Sequence, residues 1–567
     1  MARARWFNTT PHWPYVVLLL ASCVNIAWML LYTIAADLHM HLIWIDCFAR
    51  EFWQGDLYPR WCFDANEGLG VPLFFFYFPL PYYAAALFYP LTYMGVSPYM
   101  LFTLLCFIAT CLTALSCFSW LKDIVAPQYA VLVTMLFLFM PYRMEVMYFR
   151  VGYAELWCMV FLPLVFKYIR RIAMKDATSV MPLALSIGLA FLAHGPSTVI
   201  ALLFGGVYVL MMTGMTHLPK IYYGISAFWG IALAAFYLVP AWYYQKFLAM
   251  SASKEKLVEG FSGWANGYIS LDMLSGLLAR PIEAFGLTVL CLFGISYLLL
   301  IHSPRVGDGF VRREIVAWTV MSILVLCLIF PVSAPFYALM GGVSKFIFPW
   351  RMQMIVMMGF TYVIAVWVQW FYAPRDHRRW KMAYGVAALV ILTIGFALVD
   401  DDQSLSPDAP RMRISKVINT HEYRSQWIDP YHWRKRSIFL RHDRRDSIPK
   451  AELVSGQGDI SVTNWRSEGI ELQTQSDEPI SIRLDHNYFP SWQANLDKQR
   501  VIPIRPENKT GQMLLDIPAG NHSITITHSV AHGNPNLIIS QWVSIAALVV
   551  MLSAWFRPKR FDNQGRA

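Results

Sequence analysis

Long apolar runs dominate the chain, each closed by a short cluster of Lys and Arg or by a longer polar stretch. They predict helices near 14–34, 99–119, 126–141, 154–170, 178–194, 196–213, 221–241, 283–302, 314–333, 351–372, 382–399 and 538–556. Most approach the roughly 20 residues that carry an α-helix across the hydrocarbon of a bilayer. The run 126–141 is short, and 154–170 and 178–194 sit at the lower limit. One further run, 73–95 (LFFFYFPLPYYAAALFYPLTYMG), is apolar enough to cross. Pro79, Pro81 and Pro90 argue against a straight helix there, so it reads as an interfacial or re-entrant segment, with a true span as the alternative. From 458 to 530 the period changes to two. GDISVTNW, GIELQTQ, PISIRLDHNYF and HSITITH alternate apolar and polar positions between Gly, Pro and Asn punctuation, the pattern of a small β-sandwich.

Composition agrees with this division. Of 567 residues, 57% are hydrophobic and only 14% charged, against roughly 25% charged in an ordinary soluble domain. That excludes a soluble multidomain enzyme, a disordered chain and a disulfide-framework protein. Residues 400–537 hold 17 Lys/Arg and 18 Asp/Glu, while the remainder holds 29 and 18. The formal charge of +10 therefore resolves into +11 on a membrane body and −1 on a polar domain. The excess follows short loops: Arg3/Arg5, Lys122, Lys167/Arg170/Arg171/Lys175, Lys220, Arg305/Arg312/Arg313, Arg375/Arg378/Arg379/Lys381 and Arg557/Lys559/Arg560. With twelve spans all of these fall on one side, the cytoplasm, and 35–98, 243–282 and 400–537 fall on the other. The charge is thus a topology signal, and no nucleic-acid partner is inferred. The expected organisation is a membrane body over 1–399 with an outer loop at 35–98, an outer β-sandwich-like domain over 400–537, and a last span with a basic tail over 538–567.

The first apolar run exceeds a signal peptide's core and lacks a clear small-residue cleavage site, so it reads as a retained helix. Most cysteines fall in predicted spans; Cys47 and Cys62 share an outer loop, where a disulfide and free thiols are both open. That loop, DLHMHLIWIDCFAREFWQGDLYPRWCFDANEGLGVP, is the most informative stretch. Leu38, Leu42, Ile45, Ala49 and Phe52 form an apolar stripe opposite His39, Asp46 and Arg50, which is an amphipathic helix along the membrane surface. Asp37 and His41 are four apart and can lie together. Asp37 could act as a general base, help ligate a divalent metal with His39, His41 and Asp46, or simply cap the helix.

Other ionisable residues gather at the same predicted boundary: Glu145, Arg150 and Glu155 in PYRMEVMYFRVGYAE, His194 in LAHGP, Lys345 and Arg351 around FIFPWR, and Arg280 and Glu283. Charges at membrane depth are costly and often functional. A carboxylate for deprotonation with Arg or Lys for a phosphate suits a lipid-phosphate substrate. No P-loop, GxSxG, HExxH or dinucleotide fingerprint is present in the sequence. The basic segment 433–450 reads as a solvated connection or as a contact for anionic lipid head groups.

The order DLHMHL, QGDLYPRW, NEGLGVPLFFFYFPLPYY, YFRVGYAE, LAHGP, FPWR and then an outer β-domain resembles bacterial membrane proteins labelled "6-pyruvoyl-tetrahydropterin synthase-related", a label that does not imply pterin chemistry. These are similar to GT-C glycosyltransferases. The resemblance implies a polytopic α-helical GT-C-like fold of about twelve spans in the bacterial inner membrane, with both termini cytoplasmic and 400–537 periplasmic. It also implies a polyprenyl-phosphate-linked sugar donor and a glycan or lipid acceptor. Asp37 would be the base or metal ligand, with Mg or Mn as the ion. Arg150, Arg351, Lys345 and Arg60 would hold the donor phosphate, while His41, Glu155 and His194 would shape the site or move protons. The alternatives are a transporter or flippase for lipid-linked glycans, and a non-catalytic assembly factor for envelope polysaccharide.

Overall fold

The computed structural model describes residues 12–31, 37–63, 65, 68–249, 279–301, 309–339, 348–372, 423–428, 449–467, 469–508 and 510–556. The span expected at 382–399, most of the basic segment 433–450, and Lys345 lie outside them, as do the side chains of Arg280 and Glu283. The chain divides into two compact units. One comprises Met1–Leu38, Tyr99–Ile231 and Phe261–Pro410; the other comprises His39–Pro98, Ala232–Gly260 and Arg411–Ala567.

The first unit is helical. Proline at the first or second position starts several of its helices, among them Pro98–Leu121, Pro127–Leu138, Leu162–Ala173 and Gly195–Thr213. That position needs no backbone donor and suits proline's fixed φ. Among the described residues of the whole chain, four helices are long and apolar enough to cross a membrane, or seven if each of three bent pairs counts as one span. The expected run 154–170 is not one helix. It is broken into Tyr153–Cys158 and Leu162–Ala173, because Pro163 restarts the helix where a mid-helix proline would lose a hydrogen bond.

A fully buried carboxylate ties four of this unit's helices together. Glu314 Oε1 accepts from Arg170 Nε at 2.8 Å and from the Tyr208 hydroxyl, and Oε2 accepts from the Tyr362 hydroxyl at 2.8 Å. Arg170 Nη1 also donates to the Asp123 carbonyl at 3.2 Å. A buried ion pair repays its desolvation only when its remaining donors and acceptors are satisfied in this way.

The second unit carries the β-domain: β1 (Ala451–Ser455), β2 (Asp459–Arg466), β3 (Gly469–Ser476), β4 (Ile480–Asn487), β5 (Trp492–Leu496), β6 (Arg500–Ile502), β7 (Ile504–Pro506), β8 (Gln512–Ile517) and β9 (Gly520–His528). They form a four-stranded sheet, β1-β4-β8-β7, and a five-stranded sheet, β2-β3-β9-β5-β6. All pairings are antiparallel. The period-two pattern buries Ile482, Leu484, Met513 and Leu515 of one sheet in the same core as Ile470, Leu472, Ala494, Ile524 and Ile526 of the other. This is the sandwich that the alternation predicts.

In this unit the polar segment 60–71 is built into the domain. The Trp61 indole donates to His486 Nε2 at 2.8 Å, which assigns the His486 proton to Nδ1, 3.0 Å from the Gly68 carbonyl. Asn487 donates from its backbone to Leu69 O at 2.7 Å and from its side chain to Gly70 O at 2.9 Å. Gly70 has φ 75°, and a Cβ there would sit 2.3 Å from Trp61 Nε1. Cys47 and Cys62 form a disulfide that joins the helix Leu38–Trp53 to this segment; that helix is buried or half-buried along its length, with Trp53 its one exposed residue. The run 73–95 is three short helices, Leu73–Phe76, Leu80–Phe88 and Tyr89–Met94, not one straight helix.

Candidate functional site

In the first unit the charges of YFRVGYAE converge through an irregular backbone. The helix Pro141–Met144 runs into a wider turn over Glu145–Phe149, closed by the Arg150 N–H donating to the Glu145 carbonyl at 3.0 Å, five residues back rather than four. Val151 then adopts φ 54°, which is rare for a β-branched residue. Gly152 (φ −72°, ψ 68°) completes an inverse γ-turn, with Tyr153 N–H to Val151 O at 2.8 Å. On a regular α-helix, residues five apart point about 140° away from each other. Here Glu145, Arg150 and Glu155 instead meet. Such backbone costs on the order of 1–3 kcal/mol and persists where its surroundings over-determine it.

Those surroundings are ionic and aromatic. Arg150 Nε donates to Glu145 Oε1 at 2.9 Å, and Nη1 donates to Glu155 Oε2 at 3.2 Å. The guanidinium carbon lies 3.8 Å from the centre of the Trp350 ring. Arg150 Nη2 is buried with no hydrogen-bond partner among the described residues. Glu155, only 3% exposed, also accepts from the Tyr142 hydroxyl and pairs with Arg351 Nε at 3.6 Å. Arg351 enters from the tight turn Pro349–Met352 that opens the helix Gln353–Tyr372, and packs over Phe348 at 4.6 Å. Glu155 is therefore shared by both arginines, and each carboxylate–guanidinium contact fixes the fork of a cation.

His194 completes the group, and Asp37 lies within electrostatic reach of Arg150. His194 caps the helix Gly195–Thr213: its Nδ1 accepts from the Ser197 N–H at 3.3 Å and lies 2.7 Å from the Ser197 hydroxyl. This places its proton on Nε2. The ring lies within electrostatic reach of Arg351, Glu155 and Arg150. Asp37 directly precedes the helix Leu38–Trp53 and is exposed. The protein mass around it raises its carboxyl above the ordinary 3.8, and the nearby Arg150 guanidinium opposes that shift.

Of the residues expected at the site, Asp37, Arg150, Glu155, His194 and Arg351 belong to this unit, whereas His39, His41, Asp46 and Arg60 belong to the other. There His41 Nδ1 lies 2.9 Å from the Tyr82 hydroxyl. Asp46 pairs with Arg50 at 2.8 Å and accepts from Tyr89 at 2.5 Å. Arg60 donates through Nη2 to the Phe236 carbonyl at 2.9 Å. In a regular helix Phe236 O would accept from residue 240, which is a proline inside the helix Ala235–Tyr244 and has no N–H. Arg60 thus satisfies an acceptor that Pro240 leaves open. Among the described residues no three His, Cys, Asp or Glu side chains are grouped to hold a metal ion.

Tyr142 and Trp350 contact Glu155 and Arg150, and no sequence motif marks them. Their signal is indirect: the five-residue spacing Glu145–Arg150–Glu155 suits neither helix nor strand, and it marks a bulged turn that needs support. No known family profile matches this chain, and no curated protein matches it.

Proposed function

We propose that this protein is a membrane glycosyltransferase with a GT-C-like body of about twelve spans in the bacterial inner membrane. In this reading it moves a sugar from a polyprenyl-phosphate-linked donor to an envelope glycan or lipid acceptor at the periplasmic face. The observation that carries the reading is Arg150: a guanidinium held by two carboxylates and a tryptophan face, with one buried N–H edge unused, beside the accessible carboxylate of Asp37.

The chemistry divides between the two ends of that pair. The acceptor hydroxyl oxygen bonds to the anomeric carbon as the bond from that carbon to the phosphate oxygen breaks. Asp37 takes the hydroxyl proton, and the electron pair leaves with the lipid phosphate. Arg150 Nη2 donates to that phosphate where charge builds up. Glu145 and Glu155 are positioning residues, because they aim the cation without touching substrate, and Arg351 shares Glu155 from the opposite side. Two carboxylates against two arginines leave little surplus charge. Stabilisation therefore rests on an aimed donor at low dielectric more than on net cation. His194, with its proton on Nε2, is a neutral donor beside the carboxylate.

The test is transfer by the purified full chain in lipid nanodiscs, with a panel of radiolabelled polyprenyl-phosphate hexoses and extracted envelope glycolipids. Sugar appearing in acceptor with release of polyprenyl phosphate supports the reading. Movement of intact donor between leaflets without release would replace it with a flippase.

A further inference from the structure

We infer that Trp53, Leu57 and Leu87 of the second unit form a ridge embedded among lipid acyl chains of one leaflet. These side chains are 54%, 75% and 67% exposed. They are adjacent through the backbone bonds that hold them: the Trp53 indole donates to the Ala86 carbonyl at 2.8 Å, and the Tyr83 hydroxyl donates to the Leu57 carbonyl at 2.8 Å.

Their depth follows from a chain of contacts within the same unit. The helix Ile538–Phe556 has 19 residues, about 28 Å at 1.5 Å per residue. That only just covers a hydrocarbon core of about 30 Å, so Ile538 sits at its boundary. Ser544 lies six residues farther along, about 9 Å deeper. The Ser544 hydroxyl accepts from the Phe236 N–H at 2.9 Å. The Phe236 ring packs on Tyr58 with centroids 5.5 Å apart, and its carbonyl accepts from Arg60. Leu57 directly precedes Tyr58. The ridge is thereby tied, through two contacts, to the second turn of that span.

The polar chemistry nearby agrees with that depth. Arg60 is 4% exposed, 3.9 Å from the Tyr58 ring centre and bonded to a carbonyl, so its charge is turned away from lipid. The half-buried ion pair of the helix Leu38–Trp53, Asp46–Arg50, lies toward its middle, with Asp46 two turns before Trp53. Tryptophan is the side chain that favours the membrane–water interface. The contact does not depend on the transfer reaction.

The test uses the full chain in native membranes, with p-benzoylphenylalanine replacing Leu57 or Leu87, and Val454 or Val501 as exposed controls on the β-domain. After irradiation, intact-protein mass spectrometry should show phospholipid-sized mass increases at 57 and 87 and none at 454 and 501. No lipid adduct at 57 and 87, equal adducts at the controls, or cross-linked copies of the chain in place of lipid would each overturn the inference.

Discussion

At the residue scale, the proposed transfer divides between Asp37 and Arg150, and each has its own signature. Asp37 must be ionised to accept a proton, and its carboxyl is raised above 3.8. The acid limb of the pH–kcat/KM profile should therefore lie above the ordinary 3.8 and vanish in Asp37→Asn. The stability term has the opposite sense. A raised folded-state pKa stabilises fully below the ordinary Asp range, and that contribution is lost as pH rises through the raised value. Arg150 cannot be replaced by another cation, since its Nε and Nη1 are fixed on different carboxylates while Nη2 remains for ligand. Arg150→Lys keeps the charge and loses the fork. Transfer should fall by about 10²–10³-fold, the loss typical of one aimed donor, and Tm should fall as well, because the buried Glu145 and Glu155 lose their fixed donors. Asp37, Arg150, Glu155, His194 and Arg351 were legible because ionisable residues are rare in apolar sequence. Tyr142 and Trp350 were not, since aromatic residues are common throughout this chain.

At the element scale, proline marks most of the boundaries. It starts helices at Pro98, Pro127 and Pro163 and frees the Phe236 carbonyl through Pro240. The period-two segments became strands where they were expected. What periodicity could not foresee is the bulged turn at Glu145–Gly152, because its conformation is set by the ion pairs it makes. The segment NEGLGVP gains a physical reason: Gly70 combines a left-handed φ with contact to Trp61 and His486. Gly70→Ala should cost about 2–4 kcal/mol, from the left-handed strain and the clash together. The change would appear as a lower Tm of the solubilised chain, with Trp61 fluorescence altered. A Tm equal to wild type would mean that the segment does not support the domain.

At the scale of the whole molecule, the charge-based topology places 35–98, 243–282 and 400–537 on one side. The second compact unit gathers His39–Pro98 with Ala232–Gly260 and Arg411–Ala567. Composition could separate the polar domain but could not reveal this partnership, which depends on contacts such as Trp61–His486, 425 residues apart. The Cys47–Cys62 disulfide adds a covalent tie within that unit, the pairing that the sequence left open. The first unit depends on Glu314. Glu314→Ala should destabilise by about 3–5 kcal/mol because Arg170 is left buried and unpaired, while Glu314→Leu with Arg170→Met should recover most of that loss. Thermal unfolding of both variants in detergent distinguishes a charge lock from ordinary packing.

The most direct test of the central claim is single-turnover transfer from a polyprenyl-phosphate sugar by wild type and by a stably folded Asp37→Asn variant, with donor binding measured in parallel. Donor binding should stay within a few-fold of wild type while the chemical step slows by about 10²–10⁴-fold, the range of a lost general base. An unchanged chemical step in Asp37→Asn would contradict that claim.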